Sequence, residues 1–189
     1  RRITETILQA TNNRSLLIEP FIGGGWVTAQ LASHFDAVKA YDVHEDLVQL
    51  WQQGIDRSFE PPEHVSRELY HELKAQTMPS ALRGLVGFGM SFGGKWFGGY
   101  TGGGNLEEVR SQTKNAQSSY WTPARNGYIS KVEAIRPNTT VELKSFYDLE
   151  ITPDAVVYCD PPYASTTDYA HSFDSERFWS GAEEWSKVS

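Results

Sequence analysis

Asp160-Pro161-Pro162-Tyr163 closes the apolar, β-branched run Ala155-Val156-Val157-Tyr158-Cys159. Such a run reads as a buried strand. Two prolines lack N–H donors and fix φ, so the strand ends there and the chain turns outward. Asp160 and Tyr163 are thereby aimed into the crevice above the strand ends, where open α/β sheets bind ligands. For the tetrapeptide alone, an acidic strand end followed by an ordinary turn serves equally well. Cys159, just ahead of the acid, reads as buried filler.

A second set of residues lies near the start. Glu19-Pro20-Phe21-Ile22-Gly23-Gly24-Gly25 links an expected strand over 15–19 to an expected helix over 26–34. Glycines at that junction take positive φ and let a ligand approach the backbone closely, although a flexible turn would also explain them. The next expected strand, 37–41, ends at Asp42, about 20 residues after the glycines, where an acid can accept hydrogen bonds from both ribose hydroxyls. The loop does not read Gly-x-Gly-x-x-Gly, because Thr28 stands three positions after Gly25. It therefore lacks the pyrophosphate-binding pattern.

Taken together and in order, the glycine loop, Asp42, the block Phe92-Gly93-Gly94-Lys95-Trp96-Phe97-Gly98-Gly99-Tyr100 and Asp160 to Tyr163 resemble the Dam-like (alpha-group) DNA adenine N6-methyltransferases. The resemblance implies an α/β fold: a Rossmann-like S-adenosylmethionine-dependent methyltransferase sheet with an inserted, largely helical and Gly-rich DNA-recognition lobe. It places the catalytic domain at 1–56 and 140–189 and the insert at 57–139. S-adenosylmethionine is the implied cofactor and double-stranded DNA the implied partner, in a bacterial or phage-infected cell, with restriction-modification one setting.

The same resemblance gives Glu19, Pro20, Phe21, Gly23, Gly25, Asp42 and Asp160 to the cofactor. Relatives place an acid against the cofactor's adenine ring near the strand expected at 140–144; here Ser145 stands at that position and Asp148 a few residues late. Asp160 and the Pro161 carbonyl are expected to accept the two N–H bonds of the target amino group, with Pro162 stiffening the turn and Tyr163 stacking on the extruded base. Relatives also carry a Gly-Gly-Lys near the amino terminus, and Gly93-Gly94-Lys95 comes too late in the chain to be that element. The chain reads as clipped at both ends.

Composition sets the frame. The 189 residues suit one domain with an inserted lobe, and a single cysteine excludes a disulfide framework. No run of about 18 apolar residues suggests a membrane span, and His64, His71 and the other histidines lack metal-ligand spacing. A soluble, cytoplasmic monomer is the expectation. The net charge of −7 is unevenly spread: residues 83–136 hold seven basic residues against three acidic ones. A basic insert on an acidic body suits phosphate binding. Lys95, Trp96, Arg110, Arg125 and Asn126 are the candidate DNA contacts, with Lys131 on the same side.

The stretch 84–104 carries ten glycines with interleaved aromatics and is expected to be a shaped loop rather than a helix. Helices are expected at 1–10, 44–54, 63–76, 106–119 and 123–135, the last capped by Thr122, and another follows a cap at Asp174. Two further readings remain open on these residues: an RNA adenine methyltransferase, and a non-catalytic module that binds cofactor or DNA.

Overall fold

The computed structural model describes residues 2–12, 15–101, 120–153, 155–162 and 173–187. Four strands, β1 (Leu16–Glu19), β2 (Ala37–Asp42), β3 (Thr139–Leu143) and β4 (Val156–Val157), pair in parallel in the order β3-β2-β1-β4. Successive residues on a strand point to opposite faces. Leu17, Val38 and Val141 accordingly enter one apolar core, and Ile18 and Tyr41 a second. Burial on both faces is why β1 reads as a continuous apolar run.

The strand order fixes where a ligand can enter. From β1 the chain moves outward through β2 to β3, then returns to the other side of β1 as β4. Between β1 and β4 the direction of winding reverses, and a crevice opens beyond their carboxyl ends. The loop after β1 and the acid after β4 both face it. This mixed α/β arrangement with a parallel sheet is consistent with a methyltransferase fold.

Helices α1 (Arg2–Ala10), α2 (Trp26–Leu31), α3 (Glu45–Ile55), α4 (Arg67–Ala75), α5 (Ala81–Gly89), α6 (Trp121–Ile135) and α7 (Ser175–Trp185) account for most of the helical chain described. None of the described helices is long and apolar enough to cross a membrane. Helices α3, α5 and α6 share the larger core with β1 and β2. Three expectations are corrected here. Helix α4 begins at Arg67 rather than 63, because the Ser66 hydroxyl accepts the Leu69 N–H (3.1 Å) as its cap. The carbonyls of Pro61, Pro62 and Glu63 are instead acceptors for Arg125 and Trp121. Helix α6 starts at Trp121, not Pro123, because the buried indole anchors its first turn; Thr122 is exposed and provides no cap.

The third correction concerns the glycines. Residues 84–89, the first part of the stretch expected as loop, belong to helix α5. Glycine's low helix propensity is overridden by close packing against α3 and against the Trp96 ring. A Cβ on Gly84 would lie 2.5 Å from the Asp46 carbonyl oxygen, and one on Gly87 would lie 2.4 Å from the Trp96 ring. The contact is fixed by a buried ion pair, Arg83 Nη1 to Asp46 Oδ2 at 2.5 Å. Asp46 Oδ1 also accepts the Ser80 N–H at the start of α5. The segment that follows is pinned as well: the Tyr70 hydroxyl bonds Ser91 Oγ (2.8 Å) and accepts the Gly99 N–H (3.2 Å). The expected helix over 106–119 lies outside the described residues.

The α3–α5 contact can be tested at one atom. Gly84→Ala should cost about 1–3 kcal/mol, because its methyl group meets backbone that cannot swing away. Thermal unfolding of the two chains measures the loss. An unchanged midpoint would remove the close approach as the reason for glycine there.

Candidate functional site

The glycine loop is held from behind and open in front. Gly23 (φ 45°) and Gly25 (φ 64°) take left-handed conformations that favour glycine. Gly23 donates its N–H to Asp42 Oδ2 at 2.9 Å, and its carbonyl accepts the Trp51 indole N–H at 3.0 Å. The Gly24 carbonyl accepts from Lys131 Nζ at 2.6 Å. A Cβ on Gly25 would sit 2.7 Å from the Trp51 ring, whereas one on Gly23 or Gly24 would meet nothing within 4 Å.

Asp42 Oδ1 accepts a further bond from the His44 N–H at 2.9 Å. Each carboxylate oxygen retains a second lone pair, so both can accept from a ligand as well. Burial pushes the Asp42 carboxyl above the usual range, while the His44 and Gly23 N–H groups oppose that rise.

A cavity of about 870 Å³ opens in front of this loop. Phe21, Gly23, Asp42, Ser145, Asp160 and Pro162 all line it, from the ends of four strands. Asp160 is exposed to solvent, and Pro161 beside it is half-buried. Other residues expected at the cofactor do not reach the wall. Pro20 is buried, and Gly25 faces Trp51. Asp148 is exposed beside a separate small hollow with Leu143 and Lys144. Tyr163 and Arg110 lie outside the described residues.

Glu19 sits behind the loop. Its side chain is 2 % exposed and accepts a hydrogen bond from the buried Thr28 hydroxyl. Burial first, and the nearby charges of Asp160 and Asp42 after it, raise its carboxyl to about 8. Thr28, which breaks the dinucleotide loop pattern, is therefore the partner of a buried acid. Cys159 is half-buried, and burial pushes its thiol up to about 12, as suits a packed side chain.

The residues expected at DNA are dispersed. Lys95 and Asn126 are exposed. The Arg125 Nε donates to the Pro61 carbonyl at 3.2 Å. Trp96 is enclosed by rings of His44 (4.3 Å), Phe97 (4.7 Å) and Phe88 (4.9 Å), with the Arg83 guanidinium 4.9 Å from its centroid. Sequence spacing did not reveal Trp51, or Lys131 as a loop contact, because each reaches the loop from a distant helix.

The open loop, the acid after β2 and the acid after β4 thus meet at one cavity. Residues 1–81 match the family model for the D12 class N6 adenine-specific DNA methyltransferase. That stretch contains the glycine loop, Asp42, α3 and α4, and it supports the Dam-like resemblance. No curated protein matches the chain. D12-class methyltransferases act on the N6 group of adenine in DNA, and methyltransferases of this kind generally use S-adenosylmethionine. The match thus supports DNA adenine methylation as the general class of chemistry.

The buried acid behind the glycine loop makes stability depend on pH. Between about pH 4.5 and about 8 the folded chain holds a proton on Glu19 that the unfolded chain has released. Stability from this group is therefore highest at low pH and falls as pH rises through that window, by at most about 1.4 kcal/mol per pH unit. Glu19→Gln should remove this slope and be the more stable chain at pH 8. Urea unfolding across the window compares them, and parallel profiles would refute the assignment.

Proposed function

We propose that this chain transfers the methyl group of S-adenosylmethionine to the N6 amino group of adenine in duplex DNA, acting on a base rotated out of the helix. The observation that carries the reading is the convergence of the open glycine loop, Asp42 and Asp160 on one cavity at the β1–β4 crevice. Its volume of about 870 Å³ lies high in the range for small-molecule sites, about 300–1,000 Å³. The donor set suits a nucleoside: Asp42 for the ribose hydroxyls, Ser145 and Phe146 beside the adenine, and a glycine loop whose front is clear.

When bound, S-adenosylmethionine supplies an electrophilic methyl carbon on its sulfonium. The chain's own task is to prepare the acceptor. An adenine amino nitrogen is a poor nucleophile because its lone pair is delocalised into the ring. Asp160 accepts one of its N–H groups and the Pro161 carbonyl the other, drawing the lone pair out of conjugation. The carboxylate also stabilises the positive charge that develops on nitrogen, and each charge-assisted bond contributes roughly 1.5–3 kcal/mol. No covalent link to the enzyme is needed, in keeping with a packed Cys159.

Recognition of DNA belongs, in this reading, to the region 57–139. Exposed Lys95 and Asn126 are its best-placed contacts among the described residues, with Arg125 partly committed to Pro61. Trp96, enclosed by its neighbours, shapes the lobe from within.

Asp160→Ala should abolish transfer, and Asp160→Asn should lower it by about 10² or more, since the amide still accepts a bond but lacks the charge. Transfer of labelled methyl to duplex DNA is the measurement. Full activity in Asp160→Asn, or label on cytosine, would sink the reading. Asp42→Ala should weaken S-adenosylmethionine binding about tenfold in calorimetry. Unchanged affinity would remove Asp42 from the ribose.

A further inference from the structure

The charges around the cavity are one-sided. Asp42, Glu45 and Asp160 line it, and among its described lining residues the only lysine or arginine is Lys131. That side chain comes from α6, outside the stretch that matches the family model. Its ammonium lies 2.6 Å from the Gly24 carbonyl and 5.9 and 5.8 Å from the ring centroids of Trp26 and Trp51. Among the described residues no carboxylate lies within ion-pair distance of it. Burial lowers its pKa from the usual lysine value, as a cation lacking a counter-ion requires.

An ammonium has three N–H donors, and the bond to Gly24 uses one. The geometry of the loop also limits how far Lys131 stands from the ribose acid. Asp42 holds Gly23 and Lys131 holds Gly24, so the two charged groups are at most about 13 Å apart. A nucleoside with an amino-acid arm on its 5′ carbon fits within that limit from ribose to carboxylate. The rest of that arm carries positive charge, at the sulfonium and the amino group, and suits the acidic wall.

We propose that Lys131 binds the carboxylate at the amino-acid end of the cofactor, making α6 of the inserted region part of the cofactor site. The inference rests on reading the cavity as an S-adenosylmethionine site and adds the group that distinguishes the cofactor from a bare nucleoside. Lys131 then has two partners, the Gly24 carbonyl and the ligand carboxylate, and cofactor binding ties the loop to α6. This differs from a role at a DNA phosphate, which the position of Lys131 in a basic insert also suggests.

Calorimetry with two ligands tests it. S-adenosylhomocysteine carries the amino-acid arm, and 5′-methylthioadenosine has the same nucleoside and sulfur without it. Lys131→Met should weaken S-adenosylhomocysteine about tenfold or more, while 5′-methylthioadenosine should bind within about twofold of the parent. Lys131→Arg should restore most of the loss. The 5′-methylthioadenosine titration also shows whether the variant remains folded. Equal weakening of both ligands would mean that Lys131 only shapes the loop, and the proposal would fall. It would also fall if neither ligand were affected, including the case in which only DNA binding dropped. If the parent chain binds neither ligand, the reading of the cavity fails and takes the inference with it; if the parent binds both and Lys131→Met matches it, only the inference fails.

Discussion

Two backbone N–H groups converge on one carboxylate: Gly23 and His44 each lie 2.9 Å from an oxygen of Asp42. The first bond fixes the loop after β1, and the second fixes the turn from β2 into α3. One side chain therefore sets the relative position of two strand ends and of helix α3, which follows the second of them. Helix α3 in turn carries Asp46, which seats α5 through Arg83, and Trp51, which backs the glycine loop. Loss of the Asp42 carboxylate would release more than a ligand contact. It would leave two half-buried donors to find other partners, at up to roughly 1–3 kcal/mol each.

The parts of the site legible in the sequence are those whose chemistry is local. A strand that stops at an acid and two prolines, glycines between a strand and a helix, and an acid at the next strand end each announce themselves within a few residues. The parts that were not legible depend on contacts between distant segments. Lys131 reaches Gly24 across 107 residues, and no spacing rule connects them. The glycines of α5 predict a loop from propensity alone, yet Gly84 is required where two backbones nearly touch. Position in the chain sets Asp148 close to Ser145, but the short 3-10 turn Phe146–Asp148 carries it away from the cavity.

Several basic side chains among the described residues of 83–136 are engaged within the protein. Arg83 neutralises Asp46 inside the protein, Arg136 meets Glu133 at 3.3 Å, and Lys131 faces the loop. Arg125 holds the segment before α4. Much of the excess basic charge therefore holds elements together, and fewer cations remain for phosphate than a count implies. Since each phosphate contact adds to the salt dependence of binding, a modest slope is compatible with this distribution.

Strand β4 is paired over only two residues, Leu17 with Val156 and Ile18 with Val157. It nevertheless carries the acid at the centre of the site. Its pairing with β1 joins segments about 140 residues apart, whereas β1 and β2 are separated by about 20. Contacts that close long loops form late, because chain entropy must be overcome before they yield any gain. During folding, the loop and Asp42 can therefore take shape on a short local unit well before Asp160 docks beside them. The acid is then the last piece of the crevice to arrive, just beyond the shortest described strand and at an edge of the described sheet.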